Sequence, residues 1–267
     1  MSHDKPVTVE SLKACKRRGE KIVMLTAYDA TFAAAAERAG VDCVLVGDSL
    51  GQVIQGREST LPVTVEEMGY HTRAARRGLE HALLIADMPF MSYHDDASAA
   101  AAARVLIGSG GAAMVKLEGG GPVVERVAHL AAYGAAVCAH LGLTPQWVHR
   151  LGGYRVQGRA ADAAALIGRE ALALEQAGAQ LLILECVPAA LAAELTQQLA
   201  IPVIGIGAGT GVDGQVLVLH DALGLNLRPP RFVRDFMTAA GGIEQALAGY
   251  AAAVRNGDFP GPEEQYD

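Results

Sequence analysis

The sequence predicts a (β/α)8 barrel, an α/β fold, with one extra helix at its N-terminus and a single domain over residues 1–267. Three observations predict it. Eight short apolar runs recur along the chain, each four to six residues of mostly Val, Leu, Ile or Ala without polar alternation. Unbroken runs of this kind suit parallel strands buried on both faces. Ala-rich helical stretches separate several of the runs, the alternation expected of a parallel α/β sheet. Polar groups gather where the runs end, and strand ends form the working face of such a barrel. A length of 267 residues is ordinary for one barrel. A doubly wound sheet is the alternative, but it usually needs fewer strands and offers one ligand crevice.

The first element is a helix over roughly Val9 to Arg18. The runs then follow: "KIVMLTAYD", "VDCVLVGDS", "HALLIADMP", "AAMVKLEGG", "AAVCAHLG", "QLLILECVP", "IPVIGIGAG" and "QVLVLHDAL". Candidate helices are "ATFAAAAERAG", "TVEEMGYHTRAARRG" and "DASAAAAARVLIGSG" after the first three runs, "GREALALEQAG" before the sixth and "AALAAELTQQLA" after it. Thr64 stands three residues before Glu67, a capping box, with Pro62 just upstream. Gly40, Gly78 and Gly178 are placed to close helices in left-handed backbone. The tail "NGDFPGPEEQYD" reads as irregular.

Composition excludes several classes of function. Half the residues are hydrophobic, enough for a full core, and a net charge of −7 disfavours a duplex-binding surface, which needs clustered Lys and Arg. The basic stretches "KRRGEK" and "RAARR" read as solvated helix faces. The opening "MSHDKPVTVESLK" lacks the layout of a secretory leader, and no apolar run is long enough to span a bilayer. Cys15, Cys43, Cys138 and Cys186 are scattered and read as small buried hydrophobes in a reducing compartment. These readings predict a soluble, cytoplasmic protein with no nucleic-acid or membrane partner.

The strand ends carry the chemistry. The first supplies Tyr28 and Asp29, the second Asp48 and Ser49, the third Asp87, and the fourth Lys116 and Glu118. His140 ends the fifth, Glu185 the sixth, a glycine string the seventh, and His220 with Asp221 the eighth. One acid after a strand is often only an N-cap for the next helix, and Asp29 and Asp221 are read that way. Asp48, Asp87, Glu118 and Glu185 together would repel one another in a common mouth, so something positive should sit among them. An all-oxygen donor set suits Mg2+ or Mn2+ rather than zinc, and Mg2+ usually takes one or two carboxylates. That leaves an acid free for proton chemistry. Lys116 is either a second positive charge for a substrate carboxylate or oxyanion, or one half of a surface pair with Glu118. The two share a face, being two apart on a strand. His140 is either a core histidine or, from its strand-end position, a substrate contact. "GIGAGTG" contains no G-x-G-x-x-G, so a dinucleotide site is rejected in favour of close backbone passage or a phosphate site.

Seven motifs in order, "VGDSLG", "TLPVT", "MVKLEGG", "HLGLTPQ", "GGYRVQGR", "LECVP" and "IPVIGIGAG", closely resemble the ketopantoate (3-methyl-2-oxobutanoate) hydroxymethyltransferases, from about Val7 to Phe259. The resemblance implies a (β/α)8 barrel that begins pantothenate synthesis. It implies one Mg2+ per subunit on Asp48 and Asp87, with Glu118 at the metal site through water. It also implies keto-acid contacts from Asp48, Ser49, Asp87, Lys116 and His140, and Glu185 as the general base. The co-substrate is then 5,10-methylenetetrahydrofolate, the reaction passes through an enolate stabilised by Mg2+, and the assembly is a homo-oligomer, a decamer of stacked pentamers. The chain departs from the commoner family pattern at "AYGAAVCAH", "QGRES", "GAGTGVDGQ" and "NLRPPRF". The "QGRES" change bears on the folate side or a lid contact. Three rival readings are a Schiff-base aldolase using Lys116, a metal-dependent lyase or mutase of the isocitrate-lyase type, and a catalytically silent barrel that binds a metabolite.

Overall fold

The computed structural model describes residues 5–267; the first four, part of the stretch read for a leader, lie outside the described residues. Eight parallel strands close into a barrel in chain order: β1 (Ile22–Thr26), β2 (Cys43–Val46), β3 (Leu83–Asp87), β4 (Met114–Glu118), β5 (Val137–Gly142), β6 (Leu181–Glu185), β7 (Val203–Ile206) and β8 (Gly214–Leu217), with β8 returning to β1. The first seven lie within the first seven apolar runs; β8 begins at Gly214, one residue before the eighth run, and ends at Leu217, so that His220 and Asp221, expected at its end, stand in the following helix turn. Most strand residues are buried, because inward side chains fill the barrel and outward ones meet the helix layer. Closure excludes the doubly wound alternative.

The helices are α1 (Val9–Arg18), α2 (Ala30–Arg38), α3 (Leu50–Val53), α4 (Val65–Arg76), α5 (Asp96–Ala103), α6 (Val123–Ala132), α7 (Val148–Leu151), α8 (Ala161–Gln176), α9 (Ala189–Gln198), α10 (Leu219–Ala222) and α11 (Ile243–Asn256). Helix α1 is capped by Thr8 and Ser11, carries Glu10 in its first turn and Lys16, Arg17 and Arg18 in its last, and ends at Gly19 with φ 70°. That charge order complements the helix dipole. Lys16 ties it to the strand entries through Asp213 at 2.7 Å. The Thr64–Glu67 box opens α4 as the spacing predicts, and Asp29 caps α2 through Phe32 N–H.

Several expectations change. Gly78 is not left-handed. It is required because a Cβ there would lie 2.0 Å from the Ala30 carbonyl oxygen, so α4 can close on α2 only at a glycine. Gly40 and Gly178 do have φ of 89° and 103°. The stretch beginning "DASAAAAA" is not one α-helix but α5 followed by a π-turn segment, Arg104–Ser109. Helix α8 starts earlier than the expected stretch, its Ala-rich first turns extending the amphipathic part. Strands β7 and β8 are joined by residues 207–213 with no helix between them, so the β/α alternation lapses there. Phe232 lies against Gly207 within that connection, 2.9 Å from where a Cβ would stand, which supports the close-passage reading of the glycine string. Helices α6 and α11 were not expected from sequence: the start of α6 is hidden behind a glycine triplet and Pro122, and α11 follows a long irregular segment. Helix α11 seals the barrel seam, where Tyr250 Oη donates to the Met24 carbonyl of β1 at 2.7 Å and lies 3.1 Å from the Gln215 carbonyl of β8. The four cysteines are free thiols.

Candidate active site

Parallel register places the polar strand ends side by side. Asp87 of β3 is level with Lys116 of β4, and Glu118 is level with His140 of β5. Lys116 and Glu118 both point inward past the outward-facing Leu117. The result is a connected group. Lys116 Nζ lies 3.2 Å from Asp87 Oδ1, 3.4 Å from Glu118 Oε1 and 3.2 Å from His140 Nδ1. The Lys116–Glu118 pair is buried rather than a surface pair, with side chains 5 % and 1 % exposed. His140 Nδ1 is 3.3 Å from Glu118 Oε1 and its Nε2 is 3.4 Å from Glu185 Oε2. Glu185, at the end of β6, is the most open member of the group.

Asp48 stands just beyond β2. Its own backbone N–H donates to Asp87 Oδ2 at 3.0 Å, holding the two aspartates together. Gly47 makes the turn possible: a Cβ there would meet Ser49 Oγ at 2.8 Å and Asp87 Oδ2 at 3.5 Å. Ser49 opens α3 and its Oγ is 2.9 Å from Tyr28 Oη. All seven residues expected from sequence, Asp48, Ser49, Asp87, Lys116, Glu118, His140 and Glu185, therefore line one cavity of about 1370 Å3. That exceeds the range of most single-ligand pockets and leaves room beyond a small acid.

Electrostatics follow from burial and neighbours. Burial first, then Glu118 and Asp87, pushes the Asp48 carboxyl well above the ordinary range. Burial also raises Asp87, with Lys116 opposing. Burial would raise Glu118 as well, but Lys116, His140 and the Gln146 N–H outweigh it and hold its carboxyl at about 2. Lys116 is held well above its usual value despite burial, by Asp87, Glu118 and Asp48. It is therefore a firm cation, which argues against a Schiff-base nucleophile, since that role needs the free amine. Burial and then Lys116 would lower His140, but the Glu118 and Glu185 carboxylates close to its two ring nitrogens outweigh them and raise it.

The donor set fits a hard cation held by two carboxylates. Asp87 Oδ1 is buried without a hydrogen-bond partner, although the Lys116 charge lies near it. Among the described residues no three His, Cys, Asp or Glu side chains form a ready cage. Glu118 is already engaged, Oε1 by Lys116 and His140 and Oε2 by the Gln146 N–H at 2.9 Å. Asp48 and Asp87, whose carboxylates line the mouth side by side, are the acids that could hold such an ion, and two carboxylates are the sparse ligation Mg2+ accepts.

Some expectations about neighbouring residues change. Asp221 is not an N-cap: it lies inside α10, buried, and accepts from Asn226 Nδ2 at 2.9 Å. Arg57 of "QGRES" does not line the cavity; it pairs with the capping Glu67 at 2.8 Å and so tightens the loop onto α4. Tyr93 and Gln146 were missed as site residues, although Gln146 lies in the quoted "HLGLTPQ". A glutamine after Pro145 in the loop leaving β5 was the available signal.

Comparisons with known proteins bear on the family and the fold. The family model "Ketopantoate hydroxymethyltransferase" matches residues 6–262. A 3-methyl-2-oxobutanoate hydroxymethyltransferase of Halorhodospira halophila is 56 % identical over 98 % of this chain and 95 % of its own length. One of Alkalilimnicola ehrlichii is 58 % identical over 96 % and 93 %. Among solved structures, a phosphonopyruvate hydrolase complexed with oxalate and Mg2+ superposes with a TM-score of 0.62 at 14 % identity, covering 81 % of this chain and 83 % of its own. A 2,3-dimethylmalate lyase of the PEP mutase/isocitrate lyase superfamily gives 0.58 at 18 %, covering 81 % and 82 %. At such identities the likeness concerns the barrel alone. The match across nearly the whole chain, at more than half identity, is of another order: this chain belongs to the ketopantoate hydroxymethyltransferase family.

Proposed function

We propose that the chain transfers a hydroxymethyl group from 5,10-methylenetetrahydrofolate to 3-methyl-2-oxobutanoate, giving ketopantoate and tetrahydrofolate, with water supplying the hydroxyl oxygen. The observation that carries the reading is the mouth itself. Asp87 and Glu118 share Lys116, Asp48 stands against them, and Glu185 adjoins the group at His140, in a cavity large enough for a keto acid and a bulkier co-substrate. Family membership supports the same reaction.

Asp48 and Asp87 would hold one Mg2+, with Glu118 acting outside the direct ligands. When bound, that ion supplies Lewis-acid polarisation of the keto oxygen. The chain's own groups do the rest. Lys116 and Ser49 face the substrate's carboxylate and oxo group, and the fixed ammonium offsets negative charge as the enolate forms. Glu185 takes the C3 proton, being the least buried acid of the group and lying 3.4 Å from His140 Nε2. The carbon nucleophile bonds to the methylene carbon as one of that carbon's two bonds to folate nitrogen breaks; water then replaces the second nitrogen, its oxygen becoming the hydroxyl and its proton passing to the released tetrahydrofolate nitrogen. Glu118, its carboxylate fixed by Lys116, His140 and Gln146, keeps the array rigid.

Cytoplasmic residence and assembly into a homo-oligomer, a decamer, belong to the same reading. No helix among the described residues is long and apolar enough to cross a membrane. Tyr133, 83 % exposed beyond α6, is surface that a second copy would cover.

The test is product formation with keto acid, folate donor and Mg2+, each omitted in turn. Ketopantoate appears only with all three. Activity in EDTA, or cleavage of a keto acid without the folate donor, would replace the proposal with the aldolase or the lyase.

A further inference from the structure

Gln146 sits in the short turn Pro145–Trp147 that follows β5, and it is 3 % exposed. Each polar atom of its side chain has a defined partner. Nε2 donates to Asp48 Oδ2 at 2.9 Å and to the Met88 carbonyl at 2.9 Å. Oε1 accepts from Tyr93 Oη at 2.6 Å. Its backbone N–H donates to Glu118 Oε2 at 2.9 Å. One residue therefore braces two acids of the site from two different strands.

Tyr93 decides which way the amide faces. Its hydroxyl accepts from the Glu118 N–H at 3.3 Å and has two acceptors in reach, the Glu118 carbonyl at 3.3 Å and Gln146 Oε1 at 2.6 Å, and the much shorter contact directs its proton to Gln146. A flipped amide would set its oxygen against Asp48 Oδ2 and the Met88 carbonyl, opposing three oxygens in a dry interior. With Oδ2 engaged, the other oxygen of Asp48 is left for the cavity.

We propose that Gln146, oriented by Tyr93, is the positioning residue that fixes which carboxylate oxygen of Asp48 faces the cavity and keeps Glu118 turned toward Lys116 and His140. This rests on the reading of Asp48 as a cation ligand. Partners of this kind, behind a metal ligand, commonly govern affinity by about 10- to 100-fold.

The test uses the full chain stripped of metal. Mg2+ affinity is measured by calorimetry, alongside kcat at saturating Mg2+ and the melting temperature, for wild type, Gln146→Met and Tyr93→Phe. Methionine keeps the length and the backbone N–H to Glu118 but cannot donate to Asp48. Gln146→Met weakens Mg2+ binding by about 10- to 100-fold, and kcat falls in parallel. Tyr93→Phe shifts both the same way by a smaller factor, because the amide is freed to turn. Melting temperature does not track either change. Mg2+ affinity equal to wild type in Gln146→Met overturns the proposal. If that variant does not fold, equal affinity in Tyr93→Phe does so. A wild-type chain that binds no Mg2+ overturns the metal reading itself, and this inference with it, a distinct result from variants that match a binding wild type.

Discussion

Strand β2 is flanked by two buried aspartates, Asp42 at its entry and Asp48 beyond its exit. At the entry end each acid has its own cation and its own backbone donor. Asp42 Oδ2 accepts from Val23 N–H at 2.7 Å, and its Oδ1 pairs with Arg255 at 3.0 Å. Asp213, at the entry to β8, accepts from Val203 N–H at 2.8 Å and pairs with Lys16 at 2.7 Å. At the exit end Asp87 and Glu118 share Lys116, Asp48 crowds them, and Glu185 reaches only His140. Balanced charge fastens helices to the barrel floor. Unbalanced charge at the rim costs stability, and its concentration in a cleft marks the functional end.

The comparison breaks most visibly at Asp48. Asp48→Asn or Asp87→Asn should lower kcat/KM by about 10³-fold or more, with no fall in melting temperature. The sign follows from the raised carboxyl of Asp48. A raised acid contributes fully below its unfolded value of about 3.9 and loses that contribution as pH rises. In metal-free buffer, wild type should therefore lose stability from about pH 4 towards neutrality, and Asp48→Asn should lose less, as read by thermal melts across pH.

Lys116→Met sharpens the contrast, because it leaves Asp87 and Glu118 buried without their shared cation. Breaking such a group costs about 3–5 kcal/mol. Glu118, held at about 2, contributes stability above its unfolded value of roughly 4.3 and loses it only as pH falls through about 2. Denaturant unfolding at neutral pH should show the full loss in the variant. At the barrel floor the expected effects are smaller and of another kind. Asp42→Asn should cost about 1–3 kcal/mol of stability and leave kcat unchanged. Thr64→Ala, which removes only the cap of α4, should cost about 1 kcal/mol, with activity again intact.

The rim was legible in the sequence because most strands open as an apolar run, so the first charged residue at or beyond its end is conspicuous. Asp48 after "CVLV" and Asp87 closing "LLIAD" stand out for that reason. The floor was less legible, since Asp42 and Asp213 precede their strands and resemble loop residues. Gln146 and Tyr93 sit in turns with no periodicity, and what distinguishes them is reach across the mouth, which depends on closure of the barrel. Helix α11 escaped notice because it is separated from β8 by a long irregular segment. Gly78 looked like a C-cap, whereas its need is the closeness of Ala30, a contact between two helices that no local pattern encodes.

The most direct test of the account is exchange of the C3 proton of 3-methyl-2-oxobutanoate in D2O, with Mg2+ and without folate. Wild type should wash deuterium into C3, chelator should stop it, and Glu185→Gln should bind the keto acid yet leave C3 protonated. Exchange by Glu185→Gln at the wild-type rate would contradict the account.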